Sequence, residues 1–376
     1  MTNEIRLGLV GYGADPEKNH GRGRRLLQLA TQNFEGVTAA AICEIARHSL
    51  EVARKEFPKA GHYADFDQML TEVPMDALLI ETPAHLHAEF ASKALARNIH
   101  VLSDIPTVNS VEEGNLLWAA HLKSKAFYMT GANPNMSGWI EAALDLKRRG
   151  LFGEPYYIEA AYLHDCRSLW EITPWRKPKA GPEERLPIQY CTHSLGPALK
   201  LIDEDLEWVS CFDTGSHVTG EPGVHDAMTA IFRTKSNIVV HLLTSFCHNS
   251  PIGYQHNYRF FTDKGAFERT LAYPTFKSAE RAAQQRTLFY SKELYGYKNW
   301  IELPIDGTRP EYADKKDSGH GGMDYAMMDV FFKAVRTGGP SPISLREGLR
   351  MTLPGVYAAA SSRKGGELTR IVYPWS

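Results

Sequence analysis

The sequence predicts an α/β protein in two parts: a parallel sheet built from alternating strands and helices, then a second, mostly antiparallel sheet with few helices. Three observations carry that reading. The chain opens on a strand-length apolar run, Ile5-Arg6-Leu7-Gly8-Leu9-Val10, which ends in Gly11-Tyr12-Gly13 and is soon followed by a helix-like stretch from Arg24 to Ala30. Strand-like and helix-like stretches then alternate as far as Thr130, the pattern that builds a parallel sheet with right-handed crossovers. Beyond Gly131 strand-like stretches dominate, as in an antiparallel sheet.

The first element fixes the chemistry of the first part. Strand, glycine turn and helix open a dinucleotide-binding unit, in which glycines let the backbone turn tightly and approach a pyrophosphate at a helix N-terminus. The third glycine is delayed: residues 14–20 intervene before Gly21-Arg22-Gly23, which reads as an insertion lengthening the phosphate loop. The next apolar run, Val37 to Cys43, ends at Glu44, 21 residues after Gly23. That is about the ~20-residue spacing of an acid that binds ribose hydroxyls and repels a 2′-phosphate, so NAD is expected rather than NADP. The alternative is a glycine-rich turn in another α/β fold.

Further along, Ala46–Phe57 reads as a helix, Met75–Ile80 as a buried strand closed by Glu81-Thr82-Pro83, and Ala88–Arg97 as a helix. His100–Ser103 is a strand closed by Asp104-Ile105-Pro106; Val111–Ser124 is helical and Ala126–Thr130 is a strand. Ligands of open α/β sheets bind at strand C-termini, so Thr82, Pro83, Asp104 and Pro106 are candidate cofactor contacts. In the second part a helix over Ser137–Arg149 precedes strands at 156–163, 207–213, 226–233, 238–246, 258–262 and 266–268. Lys277–Arg286 reads as a polar loop or short helix, Tyr325–Thr337 and Leu345–Ser361 as helices, and Thr369–Tyr373 as a strand.

A chain of 376 residues suffices for two domains, with boundaries read at 1–130 and 131–376. A formal net charge of −2 gives no bulk attraction to nucleic acid or an anionic membrane. No apolar run approaches ~18–20 residues, so no membrane span is expected. Met1-Thr2-Asn3-Glu4 runs into the first strand without the features of a secretion signal, so a cytoplasmic location is expected. The five cysteines (Cys43, Cys166, Cys191, Cys211, Cys247) form no Cys-x-x-Cys and fit reduced, buried thiols. His164-Asp165 and His225-Asp226 are adjacent pairs, which point to opposite faces of a strand; no metal is expected.

Taken together, Gly11-Tyr12-Gly13, Glu44, Thr82-Pro83-Ala84-His85-Leu86-His87, Asp104-Ile105-Pro106 and the segment ending in His193 resemble the Gfo/Idh/MocA oxidoreductases over essentially the whole chain. The resemblance implies an N-terminal Rossmann domain plus an α+β domain with an open, mostly antiparallel sheet. It also implies NAD as cofactor and a small-molecule sugar or glycoside as substrate. Two departures stand out. Ile105 occupies the place of a lysine that is catalytic in many family dehydrogenases, and Gln189 replaces an aspartate four residues before the histidine. Both point to one branch: Tyr190-Cys191-Thr192-His193-Ser194-Leu195-Gly196-Pro197 and His320-Gly321-Gly322-Met323-Asp324 are similar to stretches of the NAD-dependent glycoside hydrolases, typified by α-N-acetylgalactosaminidase.

Hydride removal from a sugar carbinol needs a base for the hydroxyl proton. Tyr190 and His193 are three apart and share a face if they begin a helix; they are the candidate catalytic pair. The alternatives are a core tyrosine with a satisfied hydroxyl and a satisfied helix-start histidine. Gly11, Gly13, Gly21, Arg22, Gly23, Glu44, Thr82, Pro83, His87, Asp104 and Pro106 are the candidate cofactor residues, with His87 or Asp104 alternatively capping a helix. Asn133, Trp175, Arg176 and His320 are the candidate substrate contacts, with His320 alternatively closing a turn. Two outcomes are open: net dehydrogenation, or redox-neutral cleavage in which C3 oxidation acidifies the C2 proton, the C1 substituent is eliminated, water adds and hydride returns. A non-catalytic NAD-binding protein is the third reading. The face of an open sheet needs cover, so a homo-oligomer, dimer or tetramer, is expected, and the C-terminal helix over about 345–361 is a candidate to pack back on the Rossmann domain.

Overall fold

The computed structural model describes residues 4–15, 19–172, 177–178, 186–250, 254–272, 284–294, 298–305, 307 and 309–376. They form two compact units: Met1–Asn133 with Asp314–Leu349 and Tyr373–Ser376, and Pro134–Ala313 with Arg350–Val372.

The first unit is a six-stranded parallel sheet of β1 (Ile5–Val10), β4 (Val37–Cys43), β5 (Gly61–Tyr63), β6 (Ala77–Ile80), β7 (His100–Ser103) and β8 (Tyr128–Thr130), ordered β5-β4-β1-β6-β7-β8. Its strands are buried on both faces, as helix-covered parallel strands are: Leu7, Leu9, Leu78, Leu79 and Ile80 are all inaccessible. Helices α1 (Arg22–Asn33), α2 (Arg47–Glu56), α3 (Phe66–Glu72), α4 (His87–Ala96) and α5 (Val111–Lys123) connect them. The order reverses at β1, between β4 and β6, which makes the β1 end the topological switch point.

Within the insertion, β2 (Ala14–Asp15) pairs antiparallel with β3 (Asn19–His20). The first unit also takes back a distant part of the chain. Helix α9 (Met323–Thr337) sets Tyr325 and Phe332 against Phe34, at ring distances of 4.9 and 5.2 Å, and Phe331 against Phe127 at 5.8 Å. A contiguous 131–376 domain does not describe this return, which is driven by burial of the apolar stripe of α9. The first turn of α10 (Leu345–Arg363) lies on the same unit: a Cβ on Gly348 would sit 2.1 Å from the Thr130 hydroxyl.

The second unit carries a nine-stranded sheet. Its strands are β9 (Pro155–His164), β10 (Leu206–Asp213), β11 (Ala227–Thr234), β12 (Val239–Ser245), β13 (Tyr254–Thr262), β14 (Gly265–Ala272), β15 (Gln284–Ser291), β16 (Ile301–Leu303) and β17 (Thr369–Arg370). All neighbours are antiparallel except β9 and β12. Burial alternates along the strands with period two: Met228, Ala230 and Phe232 of β11 and Val240 and Leu242 of β12 are buried, while their neighbours are not. Helices α6 (Gly138–Arg148), α7 (Arg167–Ile172) and α8 (Thr192–Leu201) accompany the sheet. Strand β15 differs from the loop or short helix expected up to Arg286; its inward side chains Thr287, Phe289 and Ser291 are buried, but the polar residues around them hide the period in the sequence.

Candidate active site

In the first unit the glycines meet despite the insertion. Gly11, Gly13 and Gly21 have positive φ, at 90°, 65° and 41°. A Cβ on Gly21 would lie 2.4 Å from the carbonyl oxygens of Tyr12 and Gly13, and one on Gly23 would lie 2.0 Å from that of Gly11. The insertion therefore leaves the turn and returns to the same place, and α1 begins directly against it. The α1 N-terminus has no side-chain cap and no acidic residue in its first turn, where an anion is favoured; the Arg24 N–H donates to the Tyr12 carbonyl at 3.1 Å. Glu44, 8 % exposed, accepts from the main-chain N–H groups of Gly13 and Ala46, both at 2.8 Å. Each oxygen keeps a lone pair for a hydroxyl donor, so Glu44 ties the glycine turn to α2 and can still hold a ribose.

Arg22 is placed differently from a phosphate ligand. Its guanidinium lies 3.3 Å from carboxylate oxygens of Glu81, Asp104 and Asp324. Three carboxyls around one cation cannot all ionise cheaply. Burial, then the Asp104 charge, push the Glu81 carboxyl well up. Burial opposes ionisation of Asp324 too, but hydrogen bonding to His320, the Arg22 charge and Asn133 outweigh it and hold that carboxyl well below its ordinary value. Asn133 donates its amide N–H to Asp324 at 2.9 Å and His320 Nδ1 meets it at 2.8 Å. These two candidate substrate contacts are thus held on Asp324, although His320 keeps 44 % side-chain exposure. Glu81 and Asp324 are not candidate site residues in the sequence; the i, i+4 spacing of His320 and Asp324 is the available signal.

His87 is 1 % exposed, and both ring nitrogens reach main-chain oxygens, Nδ1 that of Pro106 and Nε2 that of Thr82, each at 2.8 Å. It is a strut between the 82–83 and 104–106 turns, with no ring nitrogen left for a dinucleotide. Asp104 accepts from the N–H of Ile105 at 2.9 Å, and Ile105 itself is buried.

In the second unit Tyr190 ends a 3-10 turn, Pro187–Tyr190, and His193 lies in the first turn of α8. The Tyr190 hydroxyl is 3.4 Å from His193 Nε2. The neighbours come from the sheet. Tyr162 and His164 of β9 pair at 2.7 Å through the phenol and Nδ1. Tyr258 donates its hydroxyl to the His193 carbonyl at 2.7 Å, bracing α8 on β13. Ring centres of Tyr162 lie 5.3 Å from Tyr190 and 4.9 Å from His256. Apart from His164, weighed above only in an adjacent His-Asp pair, none of Tyr162, His164, His256 and Tyr258 stands out in the sequence as a site residue: they lie on two stretches apart from Tyr190, and only the β9–β13 register, with Tyr162 opposite His256, joins them. Trp175 and Arg176 lie outside the described residues. All five cysteines are buried and outside any disulfide, and burial pushes the thiols of Cys43, Cys191, Cys211 and Cys247 up to about 12.

Residues 5–132 match the family described as "Oxidoreductase family, NAD-binding Rossmann fold", and residues 140–268 match the GFO/IDH/MocA C-terminal domain. The chain belongs to the Gfo/Idh/MocA family. This Gfo/Idh/MocA protein is an NAD-dependent oxidoreductase by family, and its uncapped glycine turn and Glu44 fit that cofactor. It is 25 % identical over 395 residues to a glycosyl hydrolase family 109 protein of Saccharopolyspora erythraea, covering 96 % of this chain and 81 % of that one. It is 22 % identical over 418 residues to the alpha-N-acetylgalactosaminidase of Tannerella forsythia, covering 96 % and 84 %. Among solved structures, an oxidoreductase from Agrobacterium radiobacter in complex with NAD+, L-tartaric acid and magnesium superposes with a TM-score of 0.77 at 14 % identity, covering 98 % of each chain. No helix among the described residues is long and apolar enough to cross a membrane.

Proposed function

We propose that this protein abstracts hydride from a sugar carbinol, with C3 as the reacting carbon. The observation that carries the reading is the Tyr190–His193 couple at 3.4 Å, beside sheet tyrosines and histidines that can hydrogen-bond a polyol. Bound NAD supplies the hydride acceptor. Gly11, Gly13, Gly21 and Gly23 with the α1 N-terminus would hold its pyrophosphate and Glu44 a ribose. The ends of β6 and β7, at Thr82, Pro83, Asp104 and Pro106, would line the nicotinamide half. His87 would support that half through the two turns it joins, and Arg22 through the carboxylates it neutralises. One member of the Tyr190–His193 couple takes the hydroxyl proton as hydride departs, and the other holds the sugar. A contact of 3.4 Å is long for a hydrogen bond, as catalytic contacts often are before substrate tightens them.

A second reading, redox-neutral glycoside cleavage, is favoured by Ile105. Its buried side chain can neither give nor take a proton, so the strand-end position used by many dehydrogenases of the family has no proton function here. The names of the relatives in glycosyl hydrolase family 109 point the same way. The five buried thiols, none in a disulfide, accord with a reducing, cytoplasmic setting. The outward sheet face carries Phe212 and Ile231 at 57 % and 56 % exposure, which supports a homo-oligomer that covers it.

Protein purified without added cofactor, mixed with aryl glycosides, free sugars and cyclitols, tests these readings. Aryl release over many turnovers without net NADH establishes the redox-neutral enzyme. NADH accumulating with added NAD, with 3-keto product, establishes the dehydrogenase. Silence in both channels leaves a non-catalytic NAD-binding protein.

A further inference from the structure

Carbinol oxidation moves one proton, and one base suffices for it. Cleavage of a glycoside through a C3 ketone moves a second proton, from the adjacent C2, and needs a second base beside the first. The second unit holds such a base. Tyr162 and His164 project from the same face of β9, two residues apart, and their hydrogen bond, at 2.7 Å, is shorter than the Tyr190–His193 contact at 3.4 Å. Tyr162 is 3 % exposed, while His164 is only half-buried: the imidazole is the more accessible member. The two couples adjoin, with the Tyr162 ring centre 5.3 Å from that of Tyr190 and 6.0 Å from that of His193. The Tyr162 ring thus stands against both members of the first couple.

Resting on the sugar-oxidoreductase reading above, we propose that His164 is the catalytic base for the C2 proton of a 3-keto glycoside, and that Tyr162 is its positioning residue. The protein is then a glycoside-cleaving enzyme. His164 takes the C2 proton and the C2–H electron pair becomes the C1=C2 π bond. The C1–O bond breaks, and the aglycone oxygen leaves with that pair and is protonated from water. The hydroxide left by that protonation adds its oxygen to C1, while His164, its proton exchanged with solvent, protonates C2. The C3 carbonyl regains the hydride it gave up together with a proton. The sum is glycoside plus water giving sugar plus alcohol, with no net oxidation.

The test compares the full-length wild type, H164Q and Y162F on aryl glycosides in D2O. Three quantities are read: aryl release, NADH absorbance, and deuterium at C2 of the sugar. In the wild type we expect release with deuterium at C2 and no net NADH. In H164Q release and C2 deuteration fall about 100-fold together, while NADH absorbance rises toward about one equivalent per protomer in a single turnover, because oxidation proceeds and the next step stalls. Y162F keeps the ring that fills the core; it retains the cooperative melt and shows the same split more weakly, with a shifted pH profile for release. Release within twofold of wild type in H164Q overturns the assignment, and so does loss of NADH formation along with release. Wild type that accumulates NADH and 3-keto glycoside without release overturns this inference alone and leaves the sugar oxidoreductase standing. Wild type silent in every channel overturns both.

Discussion

The glycine turn of the first unit and the tyrosine–histidine face of the second are built in opposite ways. At the turn the backbone carries the function: Gly23 exists so that α1 can approach the Gly11 carbonyl, where a Cβ would stand 2.0 Å away, and the groups offered to a ligand are main-chain N–H. On the sheet face the backbone is ordinary strand, and the proposed chemistry would lie in side chains from β9, β13 and the start of α8 brought into contact by register. A backbone site tolerates almost no substitution at its glycines. A side-chain site can lose a functional group and keep its fold.

The largest expected effect sharpens that contrast. His193→Ala should lower turnover by about 100- to 10,000-fold, the loss typical of a removed acid–base group, with little change in the thermal midpoint. A loss below tenfold, read against an unchanged melt, would reduce the sheet face to scaffold. Next comes Arg22→Met, which leaves Glu81, Asp104 and Asp324 without their cation. Breaking a buried pair costs about 3–5 kcal/mol, read from the denaturant midpoint at fixed m; under 1 kcal/mol would show that the first unit does not depend on this charge. Gly23→Ala should weaken NAD+ binding by about 100-fold, as a ~1 Å misplacement at a site does. Calorimetry with NAD+ checks it, and unchanged affinity would break the claim that this turn works through its backbone.

The smallest effect is a pH dependence. Glu81 has a raised folded pKa from burial, then the Asp104 charge. Folding therefore favours its protonated form, and its contribution is most favourable below the ordinary carboxyl value of 4.5. It is lost as pH rises through the raised value. Glu81→Gln should gain stability relative to wild type as pH increases from 5 to 8, on the order of tenths of a unit in log unfolding constant or more, measured by urea titration at each pH. A difference that does not vary with pH would mean that Glu81 is ionised in the folded state.

The same division decides what was legible in the sequence. The turn could be read because strand, glycines and acid are consecutive and their spacing is set by local geometry; even the insertion left Gly21 and Gly23 recognisable. Tyr190 and His193 could be read because one helical turn joins them. Tyr162 and His256 could not, because their proximity depends on which strands pair and in what register, and no local pattern encodes that. The return of α9 to the first unit was hidden for the same reason: its apolar stripe says that it is buried, not against what. Glu81 and Asp104 each look like strand-end acids, and only the structure puts one arginine between them.

The insertion at 14–20 has a practical consequence. Its two ends meet where Gly13 and Gly21 approach each other, the Cα of Gly21 standing 3.7 Å from the position of a Cβ on Gly13. The turn is therefore closed by Gly13 and Gly21 themselves. That makes the span between Asp15 and Asn19 a natural grafting point: an epitope, a reporter segment or a longer arm spliced there is expected to leave the Gly13–Gly21 approach as it is.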